Sequence, residues 1–279
     1  MMNVEFENYQ ETSQSYDKTR VPIGTEILLG CFASTPRPLA EQMILDGGCG
    51  TGNYIEALQG KVGSLRGLEL NKGMLAKATA KFQQNPNISL TQGSLTDLPY
   101  DDGSFDGMMC NQVIHHLVSP SSGQPNFSQL SKMMQEAYRV LRPGGVLVFN
   151  SCSQQQLRDG FWWAASIPEA MERVAKRYPP LDMMASMLQA VGFRFGGKVV
   201  PVDGILQGEN YLDPTGPLHK HYRDGDSTWT LATEEELERA MAQVQRMDRD
   251  GTMAQYVEKR DNLRKQIGQT TFIFAYKST

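Results

Sequence analysis

Asp46, Gly48, Gly50 and Gly52 alternate through ILDGGCGTGNY, Ile44 to Tyr54, a stretch that opens as an apolar, strand-like run and ends with glycine at every second position. Where strands alternate with helices, ligands sit beyond the carboxyl ends of the strands, and glycine lets the backbone approach them as the next helix begins. The spacing locates a ligand without naming it. A dinucleotide fingerprint starting at Gly48 requires glycine where Asn53 stands, and no lysine follows in the arrangement of a phosphate-cradling loop. Both of those ligand classes are therefore excluded.

The elements that must carry this loop are legible from about Met43 onward. MILDGG, LRGLEL, ISLTQG, FDGMMC, GVLVFN and later GGKVVPVDG read as strands. GMLAKATAKF and LSKMMQEAYRVL carry apolar residues at three- and four-residue intervals, as core-facing helices do, and the second must stop at RPGG. Strands alternating with helices predict an α/β fold with a mostly parallel sheet covered on both faces. Gly204 to Ser227 lacks periodicity and is rich in Gly, Pro, His and Asp, which predicts a long loop or cap. Thr233 and Glu236 form a capping box, after which Leu237, Met241, Val244 and Met247 share one helical face. A further charged helix is expected to about Gln266, and QTTFIFAY closes the chain as a last strand, so residues 204–268 read as an insertion before it.

Further motifs recur in order around the glycine loop: YDKTR before the sheet, GLELNKGML at the second strand, GSLTDLPYDDGSFD around the third and fourth, NQVIHHL after the fourth, VLRPGGVLVF into the fifth, then MLQAVGF and TTFIFAYK. With these motifs the chain resembles the class I S-adenosylmethionine-dependent methyltransferases, in particular the small-molecule branch called methyltransferase type 11. The resemblance implies a doubly wound Rossmann-like sheet with its last strand antiparallel and S-adenosyl-L-methionine as cofactor. It divides the chain into an N-terminal helical lid (1–40), the cofactor-binding core (41–203), the inserted cap (204–268) and the final core strand (269–279). It also implies that Glu69 accepts hydrogen bonds from the two ribose hydroxyls, and such bonds to a charged group are the stronger kind. The remaining cofactor positions it implies are Tyr16 and Arg20 in the lid, Asp46, Gly48, Cys49, Gly50 and Gly52 in the loop, Leu70, Met74, Gly93, Ser94, Leu95, Asn111 and Gln112. Ser94 stands where the family often has an acid that accepts from the adenine amino group. Asn71 reads as the cap of the next helix.

A sulfonium methyl is already activated, so the protein must chiefly align donor and acceptor and exclude water. A hydroxyl, phenol or ammonium acceptor also needs a base, whereas a thioether, thiolate or free tertiary amine does not. His115 and His116 follow the fourth strand and are the candidate bases, set against the reading that HHL is common in the family whatever the acceptor. Trp162, Trp163, His219, His221 and Tyr222 are the candidate contacts for the acceptor, with packing as the alternative for the tryptophans.

The net charge of −4 offers no overall attraction to nucleic acid or anionic lipid, and hydrophobic residues at 40% with charged ones at 21% are ordinary for a globular chain. A small-molecule acceptor, no nucleic-acid partner, no membrane association and a cytoplasmic location are expected; the oligomeric state is left open. Cys31, Cys49, Cys110 and Cys152 form no CxxC pair, so free thiols and no metal site are expected. Two other functions compete with small-molecule methylation: arsenite or thiol methylation, suggested by three cysteines at strand ends, and a silent S-adenosylmethionine-binding protein acting through its cap.

Overall fold

The computed structural model describes residues 21–121 and 124–279. These group into two compact units, one of residues 24–153, 177–200 and 270–279, the other of residues 21–23, 154–176 and 201–269.

The first unit carries the strands β1 (Met43–Gly47), β2 (Ser64–Glu69), β3 (Ile88–Gln92), β4 (Phe105–Asn111), β5 (Ser119–Ser121), β6 (Gln124–Asn126), β7 (Leu141–Ser151), β8 (Phe193–Val199) and β9 (Thr271–Lys277). Seven of them form one sheet in the order β3-β2-β1-β4-β7-β9-β8, while β5 and β6 pair antiparallel in a separate two-stranded sheet. Neighbours from β3 to β7 pair in parallel, and β9 runs antiparallel to both β7 and β8. This is the mostly parallel sheet that the sequence predicts, with the antiparallel last strand that the resemblance implies.

Alternating side chains feed two separate cores, because successive strand residues point to opposite faces. Leu45, Met108, Cys110, Leu147 and Phe149 pack with Leu130, Met133 and Met134 from the helix Ser128–Val140. Ile44, Met109, Val146 and Val148 pack with Leu28 and Phe32 from the helix Thr25–Ala33. Burial on both faces explains why these strands read as continuous apolar runs. Register then sets the functional edge: Asp46 pairs with Gly67 and with Met109, and Asn111 pairs with Asn150. The side chains of Asp46, Glu69, Asn111 and Asn150 therefore all gather at the carboxyl end of the parallel strands.

The strand expected in GGKVVPVDG starts earlier, at Phe193, and ends at Val199. The preceding helix, Leu181–Val191, stops on Gly192 at φ 113°, so pairing with β9 begins at once. Gly196 and Gly197 mark an irregularity inside the strand rather than its start, and a Cβ on Gly196 would lie 2.6 Å from the Phe274 ring. Pro201 cannot donate to a ladder, which is consistent with the strand's early end.

In the second unit the helix Glu234–Arg249 begins with the expected capping box of Thr233 and Glu236, and the helix Met253–Ile267 follows. The aperiodic stretch 204–227 contains short 3-10 turns, Gly208–Leu212 and Gly216–Leu218, and the short helix Lys220–Arg223. Residues 154–176, assigned to the core by the sequence, group with the cap instead. Gln156 donates to the Ile267 carbonyl at 2.8 Å, Trp163 Nε1 to Gln207 Oε1 at 3.0 Å, and Arg173 to the Leu231 carbonyl at 2.8 Å. Among the described residues no helix is long and apolar enough to cross a membrane.

Candidate functional site

The glycine loop leaves β1 with Gly48, Gly50 and Gly52 at φ 76°, 56° and 85°, in the left-handed region that favours glycine. The three glycines meet different needs. A Cβ on Gly48 would lie 2.6 Å from Val113, and one on Gly52 would lie 2.5 Å from Phe82, so these two admit neighbouring side chains. Among the described residues, nothing lies within 4 Å of where a Cβ on Gly50 would stand. The backbone there borders open space, as a cradle for a ligand requires.

Glu69 closes the cradle from the end of β2. Its Oε2 accepts from the Gly50 amide at 2.9 Å and its Oε1 from the Asn71 amide at 2.7 Å. Each carboxylate oxygen has more than one acceptor site, so both can take a further donor. Asn71 caps the helix Lys72–Phe82, as expected, by accepting from Gly73 and Met74. Leu70, between these two residues, is 67% exposed although it is apolar.

Asp46 lies beneath the loop, buried, and its carboxyl is pushed up to about 7, chiefly by loss of solvent and then by the charge of Glu69. The Asn111 amide lies beside it and offsets part of this rise, although among the described residues Asp46 Oδ1 and both Asn111 amide atoms have no hydrogen bond of normal geometry. Buried polar atoms without partners are costly and uncommon. The open space over Gly50 and the carboxylate of Glu69 suit a polar ligand that brings hydrogen-bond donors.

The side chains of several other sequence candidates are engaged in packing or local turns. Met74, Leu95 and Cys49 are buried, and a Cβ on Gly93 would lie 2.7 Å from Leu68. Ser94 Oγ lies 2.9 Å from Thr96 Oγ1 and accepts from the Thr96 amide, holding the turn after β3. Gln112 spends its side-chain amide on Asn150 and Thr270. Tyr16 and Arg20 lie outside the described residues.

His115 and His116 separate. His115 is buried with Nδ1 2.8 Å from Tyr178 Oη, whereas His116 is exposed; the two rings stand 4.0 Å apart. In the second unit Trp162 and Trp163 are each 1% exposed. Their indole N–H groups donate to the Tyr211 carbonyl and Gln207, so both tryptophans are packed inside that unit. Tyr222 is buried against Gly216. His219 and His221 are exposed with rings 5.5 Å apart, although the segment is a short helix rather than extended. All four cysteines are free and buried, and loss of solvent drives the thiols of Cys49 and Cys110 well above their usual range. Among the described residues no group of three or more His, Cys, Asp or Glu is placed to hold a metal ion.

Sequence reading misses Tyr54, Asn150 and Thr270. Asn150 Nδ2 donates to Tyr54 Oη at 2.8 Å, and Asn150 Oδ1 accepts from Gln112 Nε2 at 3.1 Å. The available signal is a polar residue ending each apolar strand run, Asn150 in VLVFN and Thr270 just before TFIF.

The sheet order, the glycine loop and an acid ending β2 together define a class I methyltransferase fold. A family model described as a methyltransferase domain matches residues 45–149. Demethylmenaquinone methyltransferase of Bacillus licheniformis is 32% identical over 171 residues, covering 54% of this chain and 69% of that protein. The enzyme of the same name from Lysinibacillus sphaericus is 29% identical, and this chain spans 63% of its length. A crystal structure from Anabaena variabilis, assigned as a methyltransferase of an antibiotic biosynthesis pathway, shares the fold with a TM-score of 0.72 at 24% identity, covering 92% of this chain and 99% of that one. The chain belongs to the S-adenosylmethionine-dependent methyltransferase family, whose cofactor is S-adenosyl-L-methionine.

Proposed function

We propose that this chain transfers the methyl group of S-adenosylmethionine to a small organic acceptor, with Glu69 and the glycine loop holding the cofactor. The observation that carries this is Glu69 itself, fixed by the Gly50 and Asn71 amides at the edge of the open space over Gly50. When bound, the cofactor supplies an activated methyl group. Glu69 would accept from the ribose hydroxyls. Exposed Leu70 would be covered by the adenine. Aligning the donor and excluding water then constitute most of the protein's contribution.

His116, the exposed member of the pair, is the better placed to take a proton from solvent-reachable chemistry, and it is the base where the acceptor is a hydroxyl, phenol or ammonium. His115, held by Tyr178, positions that turn. Demethylmenaquinone, the acceptor in the names of the relatives, is the first compound to try. The net charge of −4 supports a small-molecule acceptor over nucleic acid, and four free cysteines suit a reducing, cytoplasmic compartment.

The test is incubation of the protein with S-adenosylmethionine and a metabolite pool that includes reduced demethylmenaquinone, followed by mass spectrometry. A product heavier by one methyl group, formed together with S-adenosylhomocysteine, supports the reading. Cofactor binding with no methylated product from any pool would favour the silent binder.

A further inference from the structure

We propose that Gln112 is a positioning residue that locks the carboxyl end of β4 against the glycine loop. The proposal rests on the cofactor reading above. Among the described residues Gln112 is the one non-glycine residue with φ in the left-handed region, at 53°. Such a conformation is unfavourable for a residue with a side chain and persists only where its surroundings over-determine it. Here they do. The Gln112 backbone amide donates to the Asn150 carbonyl at 2.8 Å, and Nε2 donates to Asn150 Oδ1 at 3.1 Å and to Thr270 Oγ1 at 2.9 Å. Its Oε1 accepts from Cys152 Sγ at 3.6 Å.

Two consequences reach the glycine loop. The residue after Gln112 is Val113, whose side chain occupies the place a Cβ on Gly48 would take. The backbone turn at Gln112 therefore sets how Val113 meets Gly48. Asn150, held by Gln112, passes the constraint on by donating to Tyr54 Oη at 2.8 Å, and Tyr54 lies in the first turn of the helix Asn53–Leu58 that follows the loop. Asn150 and Thr270 are fully buried, and a buried polar network is rigid only while every member is satisfied. With Gln112 removed, Asn150 Oδ1 keeps the Thr270 hydroxyl as a donor but loses its tie to the end of β4, and both routes to the loop slacken.

A purely structural role would alter stability alone, so the test reads the loop and the ligand separately. Gln112→Gly accepts the left-handed backbone but lacks the amide; Gln112→Asn tolerates that backbone but is too short to span both acceptors, and it serves where the glycine variant fails to fold. Thermal unfolding, the amide resonances of Gly48 and Gly50, and the calorimetric affinity for S-adenosylhomocysteine would be measured for each variant. The expected result is a folded protein with displaced or broadened glycine resonances and an affinity at least fivefold weaker. Unchanged glycine resonances and affinity, in variants of wild-type or reduced stability, would overturn the positioning role. Absence of S-adenosylhomocysteine binding by the wild-type protein would instead remove the cofactor reading and this proposal with it.

Discussion

The Gly50 amide donates to Glu69 Oε2 at 2.9 Å, tying the loop after β1 to the end of β2. The hydrogen bond fixes the bare backbone and the acid at one rim, and it distinguishes the neighbouring glycines by experiment. Gly48→Ala must accommodate both φ 76° and a contact of 2.6 Å with Val113, whereas Gly50→Ala faces only φ 56°. A left-handed residue with a Cβ costs about 1–2 kcal/mol. Chemical denaturation should show Gly50→Ala destabilised by roughly that amount and Gly48→Ala by more, with Val113→Ala restoring part of the loss in the second case only. Equal destabilisation of the two would contradict the distinction.

Asp46 makes stability depend on pH with a definite sign. Its folded carboxyl titrates at about 7, against 3.8 for the ordinary group, so the unfolded chain releases its proton first as pH rises. This contribution to stability is fully present below pH 3.8 and is lost as pH rises to about 7, at a slope of up to ~1.4 kcal/mol per pH unit within that window. Asp46→Asn should flatten the slope and be the more stable protein at pH 8. Urea unfolding at a series of pH values measures the difference, and parallel profiles for the two proteins would contradict the assignment.

The paired histidines should separate in the same kind of experiment. His115→Ala removes a buried partner of Tyr178 and should cost about 1–3 kcal/mol, the usual penalty for orphaning a buried polar group. His116→Ala alters an exposed residue and should stay within about 0.5 kcal/mol of the wild type. With a protonated acceptor, His116→Ala should also abolish the acidic limb of the turnover profile. Loss of stability in His116→Ala comparable to that in His115→Ala would refute the division.

Trp162 tests the cap as a packed unit. Its ring is fully buried and its N–H donates to the Tyr211 carbonyl, so Trp162→Ala should cost about 3–5 kcal/mol. A change in acceptor use without a change in unfolding free energy would return Trp162 to the role of a pocket wall.

The sequence reads well wherever one local pattern decides the structure. Periodicity in LSKMMQEAYRVL and the apolar runs of β1, β4 and β7 reflect burial against a helix or on both sheet faces, and the capping box at Thr233 is a short-range motif. Glu69 is singled out by the resemblance, and the structure places it at the end of β2. Long-range pairing is not legible. Trp162 and Trp163 read equally as pocket or packing until Tyr211 and Gln207 are seen to take their N–H groups, and that grouping moves residues 154–176 into the cap. The Gln112 network joins residues from four separate chain segments through a backbone angle that no side-chain pattern announces. Ser94 departs from the acidic residue frequent in the family, and only the structure shows its hydroxyl turned to Thr96.

Isothermal titration of the wild-type protein and of Glu69→Ala with S-adenosylmethionine tests the central claim most directly. Hydrogen bonds to a charged acceptor contribute about 1.5–3 kcal/mol, so Glu69→Ala should bind roughly 10- to 150-fold more weakly while its circular dichroism remains that of the wild type. Equal affinity in the two folded proteins would contradict the placement of the cofactor at Glu69 and the glycine loop.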